Sequence, residues 1–123
     1  MPEPGVEIVR VYEDTGRRRG EHRVLVDRLL PRGLIKGAVD HDEWAKDAAP
    51  STELRRWYGH DPARFGEFSR RNRRELAAAP DAEEISRLRD LAAKHRLVLL
   101  TATRDVEHSG AAVLRAVLRR NGS

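Results

Sequence analysis

Apolar positions along the chain predict three strands. Val6–Tyr12 and Arg23–Arg28, which read VEIVRVY and RVLVDR, have the density of β-branched and apolar residues typical of strands. Leu97–Thr103, LVLLTAT, is apolar without alternation, as in a strand covered on both faces. We therefore expect a small, mostly parallel open sheet with helices on both faces. The length of the loop EDTGRRRGEH leaves the relative direction of the first two strands open.

Helical spacing or helix start signals occur in five other stretches. They are Asp42–Ala48 before Pro50, a helix capped by Ser51 or Thr52 and ended by Gly59, one begun by Asp61-Pro62, one begun by Asp81 with Glu84, and one from about Ser109 to Asn121-Gly122. The predicted order is therefore β-β-α-α-α-α-β-α, an α/β fold. No repeat, long linker or low-complexity block divides the sequence, so residues 1–123 are expected to form a single domain.

Composition limits the classes of function. There is no cysteine, which excludes disulfides, thiolate zinc sites and cysteine nucleophiles. There is neither a basic-then-apolar leader nor a run of about 18 apolar residues, so we expect a cytoplasmic protein without a membrane partner. The net charge is +4 and nearly all cations are arginine, a side chain suited to phosphates and carboxylates. An arginine-rich composition also arises from a high-GC genome, without any functional meaning.

Ligands of open α/β sheets bind beyond the carboxyl ends of the strands. Two charged loops would reach this edge if their strands are parallel neighbours: residues 27–33 after the second strand and residues 103–110 after the last strand. The predicted anion-binding residues are Arg28, Arg32 and Arg104, with His60 reaching the same edge, and the candidate acids or bases are Asp27, Asp105 and His108. The alternative is that these carboxylates only pair with the arginines and fix the two turns.

Other candidate sites are weaker. Asp40-His41-Asp42 lacks a second histidine at helical spacing and is better explained as a helix cap than as a metal site. No phosphate-binding loop, dinucleotide fingerprint or nucleophile elbow is present, so no cofactor is expected. The basic stretches Arg17–Arg19 and Arg70–Arg74 keep nucleic-acid binding as an alternative. His60, in the turn GHDP, is more often an ordinary polar loop residue in such a sequence than a ligand-binding one.

The stretches VLVDRLLPRGLIK, DEWAKDAAPSTELRRWYGHDPARFGEF, RRNRREL and LVLLTATRDVEHSGAAVL cover nearly the whole chain in this order. Together they resemble the YeaO-like branch of a bacterial family of domains of unknown function. The resemblance implies a compact cytosolic α/β domain with no established activity. The residues that match the family pattern, none with a proven role, are Asp27, Arg28, Pro31, Arg32, Gly33, Trp57, His60, Arg104 and Asp105.

The chain departs from this family pattern at three positions. Leu30 replaces a tryptophan, Asn72 an aromatic residue and Gly110 a histidine. If that histidine acts as an acid, base or ligand in the family, this chain must use His108 instead or lack that step.

The leading hypothesis is a domain that binds a small anionic ligand, phosphorylated or carboxylate, at the carboxyl edge of the sheet, with hydrolysis as an option. The alternative is a non-catalytic module that binds nucleic acid or a protein. A third, purely structural hypothesis pairs the charges only with one another. The anion-binding hypothesis requires that folding bring Asp27 and Arg104 to the same edge of the sheet. The oligomeric state does not follow from the sequence.

Overall fold

The computed structural model describes residues 5–28, 39–78 and 81–119. The strands are β1 (Val6–Arg10), β2 (Glu21–Leu25), β3 (Glu43–Trp44) and β4 (Arg96–Thr101), and the α-helices are α1 (Thr52–Tyr58), α2 (Phe65–Ala77), α3 (Asp81–Lys94) and α4 (Gly110–Arg119). Short 3₁₀ turns lie at Val11–Glu13, Lys46–Ala48, Pro62–Arg64 and Val106–His108. No helix in these ranges is long and apolar enough to cross a bilayer.

The four strands form one sheet in the order β1-β4-β2-β3, and every pair is parallel. The predicted α/β class with a small parallel sheet is confirmed. β1 and β2 lie on either side of β4, with Val6 opposite Leu97 and Glu21 opposite Arg96. The first two strands are therefore parallel but not neighbours, and the carboxyl ends of β1, β4 and β2 lie at the same edge.

The main core lies between the sheet and the helices. Leu97 and Leu99 of β4 point to this face and are fully buried, and all four helices contribute buried residues to the same cluster. Its helical members include Leu54, Phe68, Leu88 and Leu114. Removing this much apolar surface from water is the main source of stability for a domain of this size.

The opposite face of the sheet differs from the expectation of helices on both faces. Leu25, Val98 and Leu100 form a separate buried cluster there with Val39, and within the described residues no helix contributes to it. Partly buried Val9, Val11 and Trp44 pack against this cluster. The connection between β1 and β2, residues 11–20, is shorter than the dozen or more residues that a helical crossover needs, and it holds only a 3₁₀ turn.

The helix predicted at Asp42–Ala48 is wrong, because this segment forms β3 and then a 3₁₀ turn. The amide of Asp42 donates to the carbonyl of Arg23 at 2.7 Å, and the amide of Ala45 donates to that of Leu25 at 2.8 Å. The indole of Trp44 also donates to the carbonyl of Asp27 at 2.6 Å. Pairing with the open edge of β2 satisfies backbone groups that a single helical turn would leave free. The observed order is therefore β-β-β-α-α-α-β-α.

Most predicted helix boundaries agree with the structure. The hydroxyl of Ser51 accepts the amide of Leu54 and caps α1, and Gly59 ends α1 in the left-handed conformation with φ 55°. Asp61 caps the turn at Pro62–Arg64, which continues directly into α2. The strands end slightly earlier than predicted, β1 at Arg10 and β4 at Thr101.

The arginines at the amino ends of the strands pair with carboxylates. The side chain of Arg23 is 1% exposed, and it bonds Asp14, Glu21 and the carbonyl of Asp40. Arg17 reaches Asp40 at 3.0 Å, and this hydrogen bond lowers the pKa of Asp40. Arg17 also bonds Asp42, and Arg18 bonds Glu7 and Glu21. The cationic side chains at this end are therefore largely compensated by neighbours.

Candidate anion-binding site

Asp27 joins the carboxyl ends of β2 and β4. Its Oδ1 accepts the hydroxyl of Thr101 at 2.6 Å, and its Oδ2 accepts the amide of Ala102 at 2.7 Å. Burial raises the pKa of Asp27, against the opposing effects of these hydrogen bonds and of the nearby charge of Arg55. Both carboxylate oxygens therefore help to fix the turn, but they do so through a hydroxyl and a backbone amide, and not through the arginine pairing that the structural alternative predicted.

A cavity of about 1040 Å³ lies at this edge of the sheet. Its walls come from the segments after β1, β2 and β4 and from α1, so it occupies the position expected for ligands of parallel sheets. Asp27 and Arg104 both line it, as the leading hypothesis required. The structure also brings Arg28, His60, Asp105 and His108 to its wall. Arg32 lies outside the described residues.

Among the described residues, the cavity wall holds five arginines and two carboxylates, Asp27 and Asp105. Arg28 donates to the carbonyls of Pro50 at 3.0 Å and Ala49 at 3.4 Å, which holds its guanidinium against the start of α1. The remaining arginines are Arg10, Arg55, Arg56 and Arg104.

Arg55, Arg56 and Arg104 differ from the arginines at the amino ends of the strands. Within the described ranges no carboxylate lies within ion-pair distance of any of the three. All three are exposed residues of the cavity wall. The site therefore has an excess of positive charge that side chains of the described fold do not neutralise.

Asp105 and His108 form a pair beside these arginines, with 2.9 Å between Oδ2 of Asp105 and Nδ1 of His108. The hydroxyl of Tyr58 donates to the backbone carbonyl of His108 at 2.6 Å, and burial raises the pKa of Tyr58, as do the charges of Asp105 and Asp61. The predicted acid–base residues thus lie together, but the nearest hydroxyl in sequence, that of Ser109, donates to the carbonyl of Val106 and accepts the amide of Ala112. Thr52 and Thr103 also carry hydroxyls in the described cavity wall, and no hydrogen bond among the described residues joins either hydroxyl to Asp105 or His108.

His60 has an unusual backbone. Its φ is 56°, the one positive value among the described non-glycine residues, and it follows Gly59, which is also left-handed. Its ring lies 6.4 Å from that of Tyr58. The reversal at the end of α1 therefore directs His60 to the cavity wall, at a backbone cost of about 1–2 kcal/mol.

Gly110, which replaces the usual histidine of the family pattern, has a packing explanation. A Cβ at this position would lie 2.7 Å from Cγ and 2.8 Å from Cδ of Pro50. A side chain at position 110 would therefore require Pro50 to move, whereas glycine lets the backbone at the start of α4 pack directly against the Pro50 ring. Asn72, the second departure, is fully buried nearby, and neither polar atom of its side chain has a hydrogen-bond partner in the described residues. Leu30, the third departure, lies outside these residues.

Sequence reasoning missed four cavity residues: Arg10, Tyr12, Arg55 and Arg56. Arg10 is the last residue of β1 and Tyr12 follows it, so the rule applied to the other two loops would have found them had the direction of β1 been known. Arg55 and Arg56 directly follow the buried Leu54 in α1, and helical periodicity places them off the core face.

The remaining sequence candidates have other partners. Asp40 and Asp42 bond Arg17, and His41 bonds the carbonyl of Val39 through Nδ1 at 2.7 Å. Arg70 and Arg71 both pair with Glu67. Within the described ranges no group of three or more metal-ligating side chains lies close enough to hold a metal ion.

Comparisons with known proteins agree with the resemblance seen in the sequence. The chain is 45% identical over 116 residues to the uncharacterised protein Rv3073c of Mycobacterium tuberculosis (strain H37Rv), covering 94% of this chain and 95% of the relative. It is 37% identical over 114 residues to the uncharacterised protein YeaO of Escherichia coli (strain K12), covering 93% and 96%. No solved structure matches the chain significantly.

A family model described as the inactive DUF488-N3 subclade matches residues 5–122. This range includes all four strands, all four α-helices and every wall residue of the cavity. The YeaO-like relative shares the same nearly full-length coverage. The chain therefore belongs to the inactive DUF488-N3 subclade, whose relatives named here have no characterised function.

Proposed function

We propose that this protein binds a small anionic ligand, phosphorylated or carboxylate, in the cavity at the carboxyl edge of its sheet, without transforming it. One observation carries the proposal: Arg55, Arg56 and Arg104 line one cavity, and in the described part of the chain no carboxylate pairs with them. By contrast, Arg17 and Arg23 at the amino ends of the strands have acidic partners.

Electrostatics favour an anion at this position. Guanidinium groups form strong, often bidentate hydrogen bonds with phosphate and carboxylate oxygens. A concave site lined by charges of one sign also concentrates ligands of the opposite sign. Arg28, fixed by the carbonyls of Ala49 and Pro50, supports a further contact from a preorganised position.

Binding without chemistry fits the side chains better than hydrolysis does. The carboxylate of Asp27 is buried and occupied by two donors, and the hydroxyl of Ser109 is occupied by the backbone. Asp105 and His108 would then orient a ligand by hydrogen bonding instead of moving protons to or from it. The description of the subclade as inactive agrees with a binding role.

Nucleic-acid binding has less support. Of the two basic stretches, Arg17, Arg18, Arg70 and Arg71 have carboxylate partners, which reduces the charge available to a phosphate backbone.

A small phosphorylated ligand would come from the cell's metabolite pool, so the proposal also places the protein in the cytoplasm.

The experiment is a thermal-shift screen of the full chain against small phosphates and carboxylates, followed by calorimetry on any compound that stabilises it. We expect Arg104→Ala and Arg55→Ala each to weaken binding about 10- to 150-fold, the loss of one or two charge-assisted hydrogen bonds. Arg32→Ala tests the remaining sequence prediction in the same assay.

Arg19→Ala is the matched control, because Arg19 is exposed and outside the cavity wall. It removes the same charge and should leave affinity within about twofold. Equal affinity in wild type, Arg104→Ala and Arg55→Ala would contradict the proposed site. Turnover of the bound ligand by the wild-type protein would contradict the non-catalytic role.

A further inference from the structure

We infer that the ligand is a nucleotide, with its phosphate at the cavity arginines and its base stacked on Tyr12. This inference rests on the proposed function and specifies the class of ligand. Its starting point is that the cavity wall combines two recognition elements, uncompensated arginines and an aromatic ring that the fold leaves open.

Tyr12 is the one large hydrophobic side chain among the described residues that remains exposed, at 59%. The other aromatic residues of the cavity wall, Tyr58 and Phe68, are buried and stack on each other with centroids 4.1 Å apart. A single exposed ring elsewhere on the surface would need no explanation. Tyr12 is instead part of the cavity wall.

Arg10 holds this ring in place. Its guanidinium carbon lies 5.7 Å from the centroid of Tyr12, a cation–π contact. Arg10 is itself held by a hydrogen bond to the carbonyl of Thr103 at 2.9 Å and by an ion pair with Glu13 at 3.4 Å. A ring supported by a tethered cation is preorganised for stacking, since less side-chain freedom is lost when a base binds.

The cavity extends across the carboxyl ends of three strands. Tyr12 follows β1 and Asp27 follows β2, with β4 between them, so the wall spans two strand spacings, about 10 Å, at this edge. Arg55 and Arg56 of α1 line the wall of the same cavity, whose volume of about 1040 Å³ greatly exceeds that of an inorganic anion. A nucleoside monophosphate holds an aromatic base and a phosphate on opposite sides of a ribose, so its length suits a cavity of this width.

The described part of the wall lacks the side chains that read adenine most directly. Among the described wall residues there is no asparagine or glutamine, the side chains that form a pair of hydrogen bonds with adenine, and each oxygen of Asp27 already accepts one hydrogen bond. Stacking alone accepts every base because each has a π-face. We therefore expect adenine and uracil nucleotides to bind with affinities within about tenfold of each other.

The test measures the affinity of the full chain for AMP, UMP, ribose 5-phosphate and adenosine by calorimetry. AMP should bind about 5- to 150-fold more tightly than ribose 5-phosphate, the range for one base stacked on an aromatic side chain. Tyr12→Ala should remove this difference and leave ribose 5-phosphate binding unchanged, while Tyr12→Phe should retain it. Thr15→Ala, at an exposed position of the same loop outside the cavity wall, is the matched control.

The outcomes separate the inference from the proposal beneath it. Equal binding of AMP and ribose 5-phosphate, with both weakened by Arg104→Ala, would overturn the nucleotide inference and leave the anion site standing. If none of the four probes binds, the nucleotide inference is overturned. The wider screen of anions then tests the proposed function by itself. Tighter AMP binding that survives Tyr12→Ala would place the base elsewhere and also overturn the inference.

Discussion

The hydroxyl of Thr101 donates to Oδ1 of Asp27 at 2.6 Å, so the last residue of β4 is bonded to the segment that leaves β2. The other oxygen of Asp27 accepts the amide of Ala102. These two hydrogen bonds hold the end of β4 in place, and with it the start of the segment that continues into the cavity wall. Asp27 therefore contributes to the site by supporting its shape, and its protonation should be measurable as a change in stability.

Asp27→Asn should change how stability depends on pH. Since the folded-state pKa of Asp27 is raised above the unfolded value of about 3.9, the folded state binds the proton more readily. This residue's contribution to the free energy of unfolding therefore falls as pH rises from below 3.9 through the raised pKa, and is constant above it. The stability of Asp27→Asn minus that of the wild type should rise across this window, measured by urea unfolding at a series of pH values.

Glu43→Gln provides a control of opposite sign. The hydrogen bond from Arg87 lowers the pKa of Glu43, so its stabilising contribution is lost as pH falls through that lowered value. The variant-minus-wild-type difference should fall as pH rises. A difference for Asp27→Asn that is flat between pH 3 and 7 would contradict the raised pKa.

Gly110→Ala should destabilise the protein. A methyl group there would lie 2.7 Å from Pro50, and such overpacking usually costs about 1–3 kcal/mol. Gly66→Ala is the matched comparison, because Gly66 is also helical and has no atom within 4 Å of the added carbon. It should instead stabilise by about 0.5–1 kcal/mol. Thermal unfolding of both variants tests the contrast, and equal shifts would show that Pro50 moves freely.

Asn72→Leu should stabilise the fold. The buried amide of Asn72 has no hydrogen-bond partner in the described residues, and an unsatisfied buried polar group costs about 1–3 kcal/mol. Leucine has the same branched shape, with two bulkier methyl groups in place of the amide oxygen and nitrogen, and would join Phe68 and Leu76 on the buried side of α2. Chemical denaturation should show a gain of about 1 kcal/mol or more. A loss of stability in Asn72→Leu, comparable with that in Asn72→Ala, would mean that the amide is satisfied in solution.

Ser51→Ala should weaken the start of α1. The hydroxyl of Ser51 accepts the amide of Leu54 and donates to Glu75 of α2 at 2.5 Å, so it caps one helix and ties it to another. Loss of an N-cap costs about 1 kcal/mol. Thr52→Ala, one residue later and exposed, is the control and should have a smaller effect on the midpoint of urea unfolding. Equal effects would assign the loss to helix propensity and not to the cap.

Local signals in the sequence predicted the elements whose stability is local. The cap at Ser51, the stop at Gly59 and the apolar run of β4 agree with the structure because each depends on residues adjacent in the chain. β3 was missed because Glu43 and Trp44 form a strand only through pairing with β2, about twenty residues earlier. A two-residue strand has no periodicity of its own to detect.

The candidate site was predicted only in part, because here too the sequence indicates local features and not contacts between distant segments. The loops after β2 and β4 were found because their charges follow clear strands, and both reach the cavity. Tyr12 was predicted to lie at the end of a strand. Its exposure was not predicted, because it depends on where β1 ends and on how the chain turns at Val11–Glu13. The raised pKa of Asp27 likewise depends on burial by segments distant in sequence.

Arg17, Arg18 and Arg23 pair with carboxylates at one end of the sheet, whereas in the described residues Arg55 and Arg104 at the other end do not. Opposite charges that lie close together cancel at a distance, so each unpaired cavity arginine contributes more to the potential outside the protein than a paired one does. This local positive potential should attract an anion to the mouth of the cavity. The association rate constant of the anion should therefore decrease with added salt, because salt shortens the screening length, which is about 10 Å at 0.1 M.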